Sequence, residues 1–288
     1  MVKISQPRKL MQETHGFRLV DTCLSSSQFE KVCSIVYGLA GIRLGPGREE
    51  LVKARLLRRL RVLGLHNFTA YLEYLEKPEN APELACMIDA LTTNKTSFFR
   101  EPAHFDFMAS QVLPRMNWKK LRIWSAGCST GEEPYSIIMC LKESLPDFDD
   151  WDIKILATDI AGRVLETAKR ASYQEEALEG LSPVYLRKYF NCTRRNPPRV
   201  YSVSEPLRVP VRFARLNLMG HWPMTGPFDI IFCRNVMIYF DRETQEDLVN
   251  RFYGLLSHGG YLFTGHSESL AGLTTDFTYV KPAIHRKH

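Results

Sequence analysis

Glu132 and Glu133 follow a run of small residues, Gly127-Cys128-Ser129-Thr130-Gly131, and precede Pro134. Ahead of the small residues lies a short β-type run, Leu121-Arg122-Ile123-Trp124. Behind them is an apolar helical pattern, Tyr135, Ile137, Ile138, Met139 and Leu141. A strand, a small-residue turn and a helix with Pro near its start form the first unit of a nucleotide-binding α/β sheet. Gly127 and Gly131 carry no side chain, so a flat ligand can lie close to the backbone. Their Gly-x-x-x-Gly spacing is not the dinucleotide fingerprint. Two carboxylates at the helix N-terminus repel a diphosphate but suit hydroxyls, an amine or a sulfonium. That chemistry points to S-adenosylmethionine (SAM) rather than NAD or ATP.

Other chemistry-bearing residues stand where strands end, the edge at which open parallel sheets bind ligands. Asp159 closes the apolar run Ile153–Thr158, 28 residues beyond Gly131. That is the place of an acid gripping ribose hydroxyls; its other reading is a helix N-cap. Asn217 and Leu218 follow the strand 211–214 and could flank an adenine or be simple loop residues. Arg234 and Asn235 end the apolar strand Phe228–Cys233, and Tyr239 lies one helical turn beyond Asn235. Asn196-Pro197-Pro198 resembles the opening of an adenine-methylating motif, but the polar Asn191-Cys192-Thr193-Arg194-Arg195 precedes it instead of an apolar strand. It reads as a proline loop.

The elements that must position these groups fall into two blocks. Residues 1–20 are polar and aperiodic, an expected mobile arm. From 21 to 92 the pattern is helical: Ser26 or Ser27 caps a helix ending at Gly41, a second runs from Arg48 to Leu63, a third opens near Asn67 and a fourth covers 81–91. On the second helix, at about 100° per residue, Val52, Leu56, Leu57, Leu60 and Leu63 share one arc. Arg55, Arg58, Arg59 and Arg61 fall opposite, a face suited to nucleic acid, anionic lipid or an acidic helix, or simply a solvated surface. Strands and helices alternate from 93 to 288, broken by a small β-containing insertion at about 173–207. The fold class is therefore α/β, a Rossmann-like sheet with a β-subdomain insertion behind an all-α N-terminal domain.

Composition narrows the setting. With 288 residues, 44% hydrophobic and 24% charged, the chain can bury a substantial core. No apolar run has the length of a bilayer span or a signal-peptide core. The seven cysteines include no C-x-x-C pair, so they read as reduced thiols of a cytoplasmic protein, with no metal site. A net charge of +6 suits an acidic partner.

Five ordered blocks, LTTNKTSFFRE (91–101), SAGCSTGEEPYS (125–136), ATDI (157–160), FDIIFCRNVMIYF (228–240) and GHSES (265–269), resemble the CheR-type chemotaxis-receptor glutamate methyltransferases. The helical block 41–65 is similar to that family's N-terminal domain, and the likeness runs from about Phe29 to the C-terminus. The resemblance implies SAM-dependent methyl transfer to glutamates of chemoreceptor cytoplasmic domains, with S-adenosylhomocysteine as product. It assigns SAM contacts to Asn94, Thr96, Arg100, Glu132, Asp159, Asn217, Leu218, Arg234 and Asn235, and sets Tyr239 beside the transferring methyl. Arg100 and Tyr239 are then the candidate catalytic pair, one orienting a carboxylate and one donating a positioning hydrogen bond. The arginine face of the second helix becomes the docking surface for the receptor helix. The expected assembly is a monomer without nucleic acid or membrane insertion. The alternatives are a catalytically silent SAM-binding signalling module and a nucleic-acid methyltransferase. In one respect the chain departs from the pattern: the loop 193–198 has no glycine, where some family members dock a receptor tether on a Gly-rich loop.

Overall fold

The computed structural model describes residues 22–116 and 119–288, so the expected arm over 1–20 lies outside the described residues. The described residues open with four helices, α1 (Ser26–Ala40), α2 (Glu49–Leu63), α3 (Phe68–Leu75) and α4 (Ala81–Leu91). The N-cap of α1 is Ser25 rather than Ser26 or Ser27: Gln28 stands three residues beyond it, so the two side chains and backbones exchange hydrogen bonds reciprocally. Gly41 and Gly64 end α1 and α2 in the left-handed conformation, and the Asn67 side chain caps α3. Val32, Val36, Val52, Leu56, Leu60, Tyr71 and Met87 form the buried centre of this unit.

The four arginines of α2 do not form one face. Arg55 donates to the carbonyls of Leu91 (2.7 Å) and Thr92 (3.0 Å), oxygens at the end of α4 that have no partner within that helix. Arg59 forks onto Glu83, with contacts of 2.8 and 2.6 Å, and Tyr71 adds a hydroxyl to the same carboxylate at 3.0 Å. Arg58 and Arg61 stay exposed. Residues four apart share a stripe on a helix, and the Arg55/Arg59 stripe faces α4. A single-helix projection contains no information about that neighbour.

Beyond α4, residues 92–102 cross to α5 (Ala103–Phe107), which continues in π and 3-10 turns to Arg115, a stretch the sequence pattern left unassigned. The α/β unit follows as β1 (Lys120–Ala126), α6 (Glu132–Ser144), β2 (Asp152–Asp159) and α7 (Gly162–Arg170). The insertion is β3 (Ser172–Gln174), α8 (Pro183–Tyr189), β4 (Phe190–Arg194) and β5 (Val200–Val203), a three-stranded antiparallel sheet in the order β3-β5-β4. After α9 (Glu205–Arg208) come β6 (Val211–Arg215), β7 (Phe228–Cys233), α10 (Arg242–Leu255), β8 (Leu256–Thr264), β9 (Thr278–Lys281) and β10 (Ile284–Arg286). The main sheet has the order β6-β2-β1-β7-β8-β10-β9. Its first five strands are parallel and the last two antiparallel, an edge hairpin that the sequence reading did not contain.

Side chains on a strand alternate between faces, which explains the two cores of this sheet. Ile123, Ile155, Ile230, Phe232 and Phe263 join the aromatic and aliphatic residues of α5 and α6 on one side. Trp124, Ile231, Cys233 and Leu262 meet Leu248, Val249 and Phe252 of α10 on the other. Strand order reverses between β1 and β7, so a crevice opens beyond their C-terminal ends. Among the described residues no helix is long and apolar enough to cross a membrane.

The split of the α2 arginines has a measurable consequence. Arg59→Ala strands the Glu83 carboxylate, only 6% exposed, and should cost on the order of 2 kcal/mol, a discount on fully buried pairs because Arg59 itself is partly open. Arg58→Ala should stay within about 0.5 kcal/mol of wild type. Urea denaturation of the two variants checks both values.

Candidate functional site

The crevice beyond β1, β2 and β7 is a cleft of roughly 1100 Å³, counting space open to solvent. Its base is the turn after β1. Gly127 has φ +87°, and a Cβ there would sit 2.3 Å from Val236 Cγ2, so any other residue strains the backbone and must displace the Val236 side chain. The amides of Gly127 and Cys128 donate to the Thr158 carbonyl at 2.8 and 2.9 Å, tying the turn to β2. Asp159 ends β2 with one oxygen on the Ser129 amide and the other on the Ala161 amide, both at 2.9 Å. The carboxylate is thereby held at the cleft wall. Burial raises its pKa, and the two amides pull it part of the way back.

The two acids of the turn go different ways. Glu133 lines the cleft, accepts from Ser125 Oγ at 2.7 Å and lies 3.4 Å from Arg234 Nη1. Glu132 does not line it: its carboxylate accepts from Thr130 Oγ1 at 2.6 Å and is 5% exposed, buried under the turn. Glu132, expected as a cofactor contact, therefore does not reach the cleft, and the neighbouring Glu133 takes that place on its wall. Consecutive residues at a helix start project about 100° apart, so only one of the pair can face the cleft. Burial raises the pKa of Glu133, while Arg234 and the Ser125 hydroxyl favour its ionised form.

Arg234 is almost wholly buried between Glu133 and Glu101, whose Oε2 lies 3.3 Å from Arg234 Nε, and it also donates to the Arg100 carbonyl. Its guanidinium thus braces the cleft wall with both acids engaged. Asn235, next in the chain, adopts φ +58° and lines the cleft. Asn217 and Leu218 line it too, although the Asn217 side chain is spent on the Leu39 carbonyl (2.6 Å) and the Met219 amide (3.0 Å).

The strip 92–101 forms the opposite wall. Ser129 Oγ holds the Asn94 carbonyl at 2.9 Å, and the Phe99 amide donates to Ser136 Oγ at 2.8 Å. Phe98 packs edge-on to Tyr173 and Phe190, and Phe99 to Phe105 and Tyr185. These aromatic anchors leave Asn94, Lys95, Thr96 and Arg100 facing the cleft. Arg100 donates one N–H to the Lys95 carbonyl at 2.8 Å and has no carboxylate partner among the described residues. Tyr239, half-buried, completes the rim, with its carbonyl bonded to the Arg43 amide at 2.8 Å. Ile42, Leu44 and Arg48 of the α1–α2 loop roof the same space. Arg48 has no ion-pair partner among the described residues.

All the expected cofactor contacts except Glu132 thus line one cleft with the catalytic candidates and residues of the helical domain, whereas Arg58 and Arg61 are not among its lining residues. The sequence assigned no role in the site to Glu101 or Arg48. Glu101 closes the 91–101 block, but only its approach to Arg234 reveals its part. Asn196-Pro197-Pro198 lies between β4 and β5, and none of the three lines the cleft.

SAM fits this donor set. The cleft has an acidic floor, Glu133 and Asp159, for an amine, hydroxyls and a sulfonium. A turn without a Cβ at Gly127 gives close approach, and Leu216, Leu218 and Phe240 supply apolar walls for a base.

Comparison with known proteins agrees. Residues 94–285 match "CheR methyltransferase, SAM binding domain" and residues 27–92 match "CheR methyltransferase, all-alpha domain". A chemotaxis protein methyltransferase of Borreliella burgdorferi is 41% identical over 275 residues, 92% of this chain and 95% of the relative. Those of Salmonella typhimurium and Escherichia coli are each 43% identical over 257 residues, covering 88% of this chain and 88% of the relative. With both parts of the chain matched in order and the cleft formed between them, this protein belongs to the CheR family of SAM-dependent chemotaxis methyltransferases.

Proposed function

We propose that the chain methylates glutamate side chains on the cytoplasmic helices of a chemoreceptor, using Arg100 and Tyr239 to set the acceptor carboxylate. The observation that carries this reading is the polarity of the cleft. Its floor is acidic, while its rim bears Arg48, Lys95 and Arg100 with no carboxylate paired to any of them among the described residues. A cationic ligand belongs below and an anionic acceptor above.

When bound, SAM supplies an electrophilic methyl group on a positively charged sulfur. Asn94, Thr96, Glu133, Asp159, Asn235 and the backbone at Asn217 and Leu218 would hold it, with Arg234 shaping the wall from behind. A glutamate acceptor is already an anion near neutrality, so the protein needs no general base. Its remaining tasks are alignment and exclusion of water. Arg100 orients the incoming carboxylate through the N–H groups left free by Lys95. Tyr239 places one carboxylate oxygen, and Val236 and Phe240 keep water from the contact zone. Arg58 and Arg61, the two exposed arginines of α2, attract the acidic receptor helix from outside. Such a reaction belongs in the cytoplasm, with no nucleic acid involved.

The deciding experiment is transfer of labelled methyl from SAM to receptor-containing membranes. Base-labile label on protein is expected; base-stable label or label on RNA would overturn the reading. Arg100→Ala and Tyr239→Phe should each lower kcat by about 10–100-fold, with adenosylhomocysteine still binding in calorimetry. Replacing Arg58 and Arg61 together by Glu should raise KM more than it lowers kcat, and the effect should shrink above about 0.15 M salt, as kinetics across a salt series would report. The pH response follows from the floor acids. Burial sets Glu133 and Asp159 above the usual carboxylate range, so they protonate sooner than free acids as pH falls. A cationic amine prefers them ionised. Adenosylhomocysteine affinity should therefore weaken as pH falls below neutrality, beginning at a higher pH than unperturbed carboxylates would give, in calorimetric titrations.

A further inference from the structure

We propose that Glu268 is a positioning residue for methyl transfer, its carboxylate holding the Asn235–Tyr239 loop in the conformation that presents Tyr239 to the cleft. The inference rests on the reading of Tyr239 given above, but its structural half is independent of that reading. Glu268 is 6% exposed and is not among the cleft-lining residues, so it touches no ligand there. One carboxylate oxygen accepts from the Gly265 amide at 2.6 Å and the Asn235 amide at 2.7 Å. The other accepts from the Ile238 amide at 3.1 Å. No lysine, arginine or histidine pairs with it among the described residues. Its charge is balanced by backbone N–H groups alone.

The Glu268 backbone is itself tied to the end of β8. The Thr264 hydroxyl donates to its carbonyl at 2.9 Å, and its amide donates to the Gly265 carbonyl at 2.8 Å. The carboxylate therefore links a fixed strand end to a loop with little regular structure of its own. That loop leaves β7 through Asn235 at φ +58° and makes a single 3-10 turn, Met237–Tyr239. An asparagine tolerates the left-handed region but does not impose it. The two loops touch closely, since a Cβ on Gly265 would lie 2.6 Å from Asn235 Nδ2 and 2.9 Å from Asn235 N.

The chemistry of the clamp requires a carboxylate. It draws on both oxygens, each facing N–H donors. Glutamine keeps the shape but turns an NH₂ against one of those donors, leaving a donor facing a donor in a buried place. Aspartate keeps both acceptors but withdraws them by one methylene. Either change should loosen the loop without opening the core.

The test compares Glu268→Gln and Glu268→Asp with wild type, using Glu246→Gln as control, because Glu246 also accepts from a backbone amide (Thr274, 2.8 Å) but is only half-buried and away from the cleft. Expected for Glu268→Gln are a kcat at least about tenfold lower, KM for receptor within about threefold, affinity for adenosylhomocysteine weakened by less than kcat because Asn235 shares the loop, and faster amide exchange confined to residues 234–240. Glu268→Asp should fall between, and Glu246→Gln should match wild type in kcat. Unchanged exchange in 234–240 would overturn the clamp. Exchange rising evenly across the chain would reduce Glu268 to an ordinary core residue. Faster exchange in the loop at full kcat would show that the loop's conformation, and with it the role given to Tyr239, does not govern transfer.

Discussion

A single buried cation holds the cleft together. Arg234 leaves the end of the central strand β7 and meets Glu133 from the start of α6 and Glu101 from the strip that joins the two parts of the chain. Residues 133 positions apart in sequence are thereby fixed at hydrogen-bond distance. A guanidinium in this setting is costly to bury and costlier to leave unpaired, so each of the three elements is held by its charge. Moving any one of them exposes an uncompensated charge to a medium of low polarity. The arrangement also sets the sign of the cleft. With two acids around one arginine, and Asp159 a short distance away, the floor keeps a net negative character that favours cationic ligand groups.

The rim depends on a different kind of contact. The strip 92–101 has few regular hydrogen bonds, and its conformation comes from two phenylalanines inserted among Tyr173, Phe190, Phe105 and Tyr185. Aromatic pairs of this geometry contribute about 0.5–1.5 kcal/mol each beyond their buried area. Anchoring Phe98 and Phe99 in this way leaves the neighbouring polar residues facing the cleft. The β insertion therefore contributes at a distance, through Tyr173, Tyr185 and Phe190, to where Arg100 stands. The helical unit contributes from the other side, with the Arg43 amide on the Tyr239 carbonyl and the Leu39 carbonyl on Asn217.

Much of this architecture is local in origin and hence legible from the chain. The helices of the N-terminal unit are bounded by side chains that act within one turn: Asn67 at a start, Gly41 and Gly64 at ends. The five parallel strands carry apolar runs, and the turn at 127–131 has the small residues that a close backbone approach requires. The cap of α1 was misplaced by one or two positions because three serines stand in a row, and only reciprocity with Gln28 selects Ser25. The edge strands β9 and β10 are short and mostly polar on one side, so their pairing with β8 leaves little periodic trace.

What the amino-acid order determined by itself was the type of most elements, the acids and glycines of the turn, and the blocks that relate this chain to its family. Tertiary packing alone decided which of two adjacent acids faces the cleft, and which of four arginines remain available to a partner. Glu132 and Glu133 differ by one step in sequence, yet the rotation of the helix buries the first and opens the second. Arg55 and Arg59 were drawn away because α4 supplies carbonyls and a carboxylate that no pattern within α2 could foretell. Propensity and periodicity are properties of a segment, whereas the partner of a charge is a property of the space it folds into.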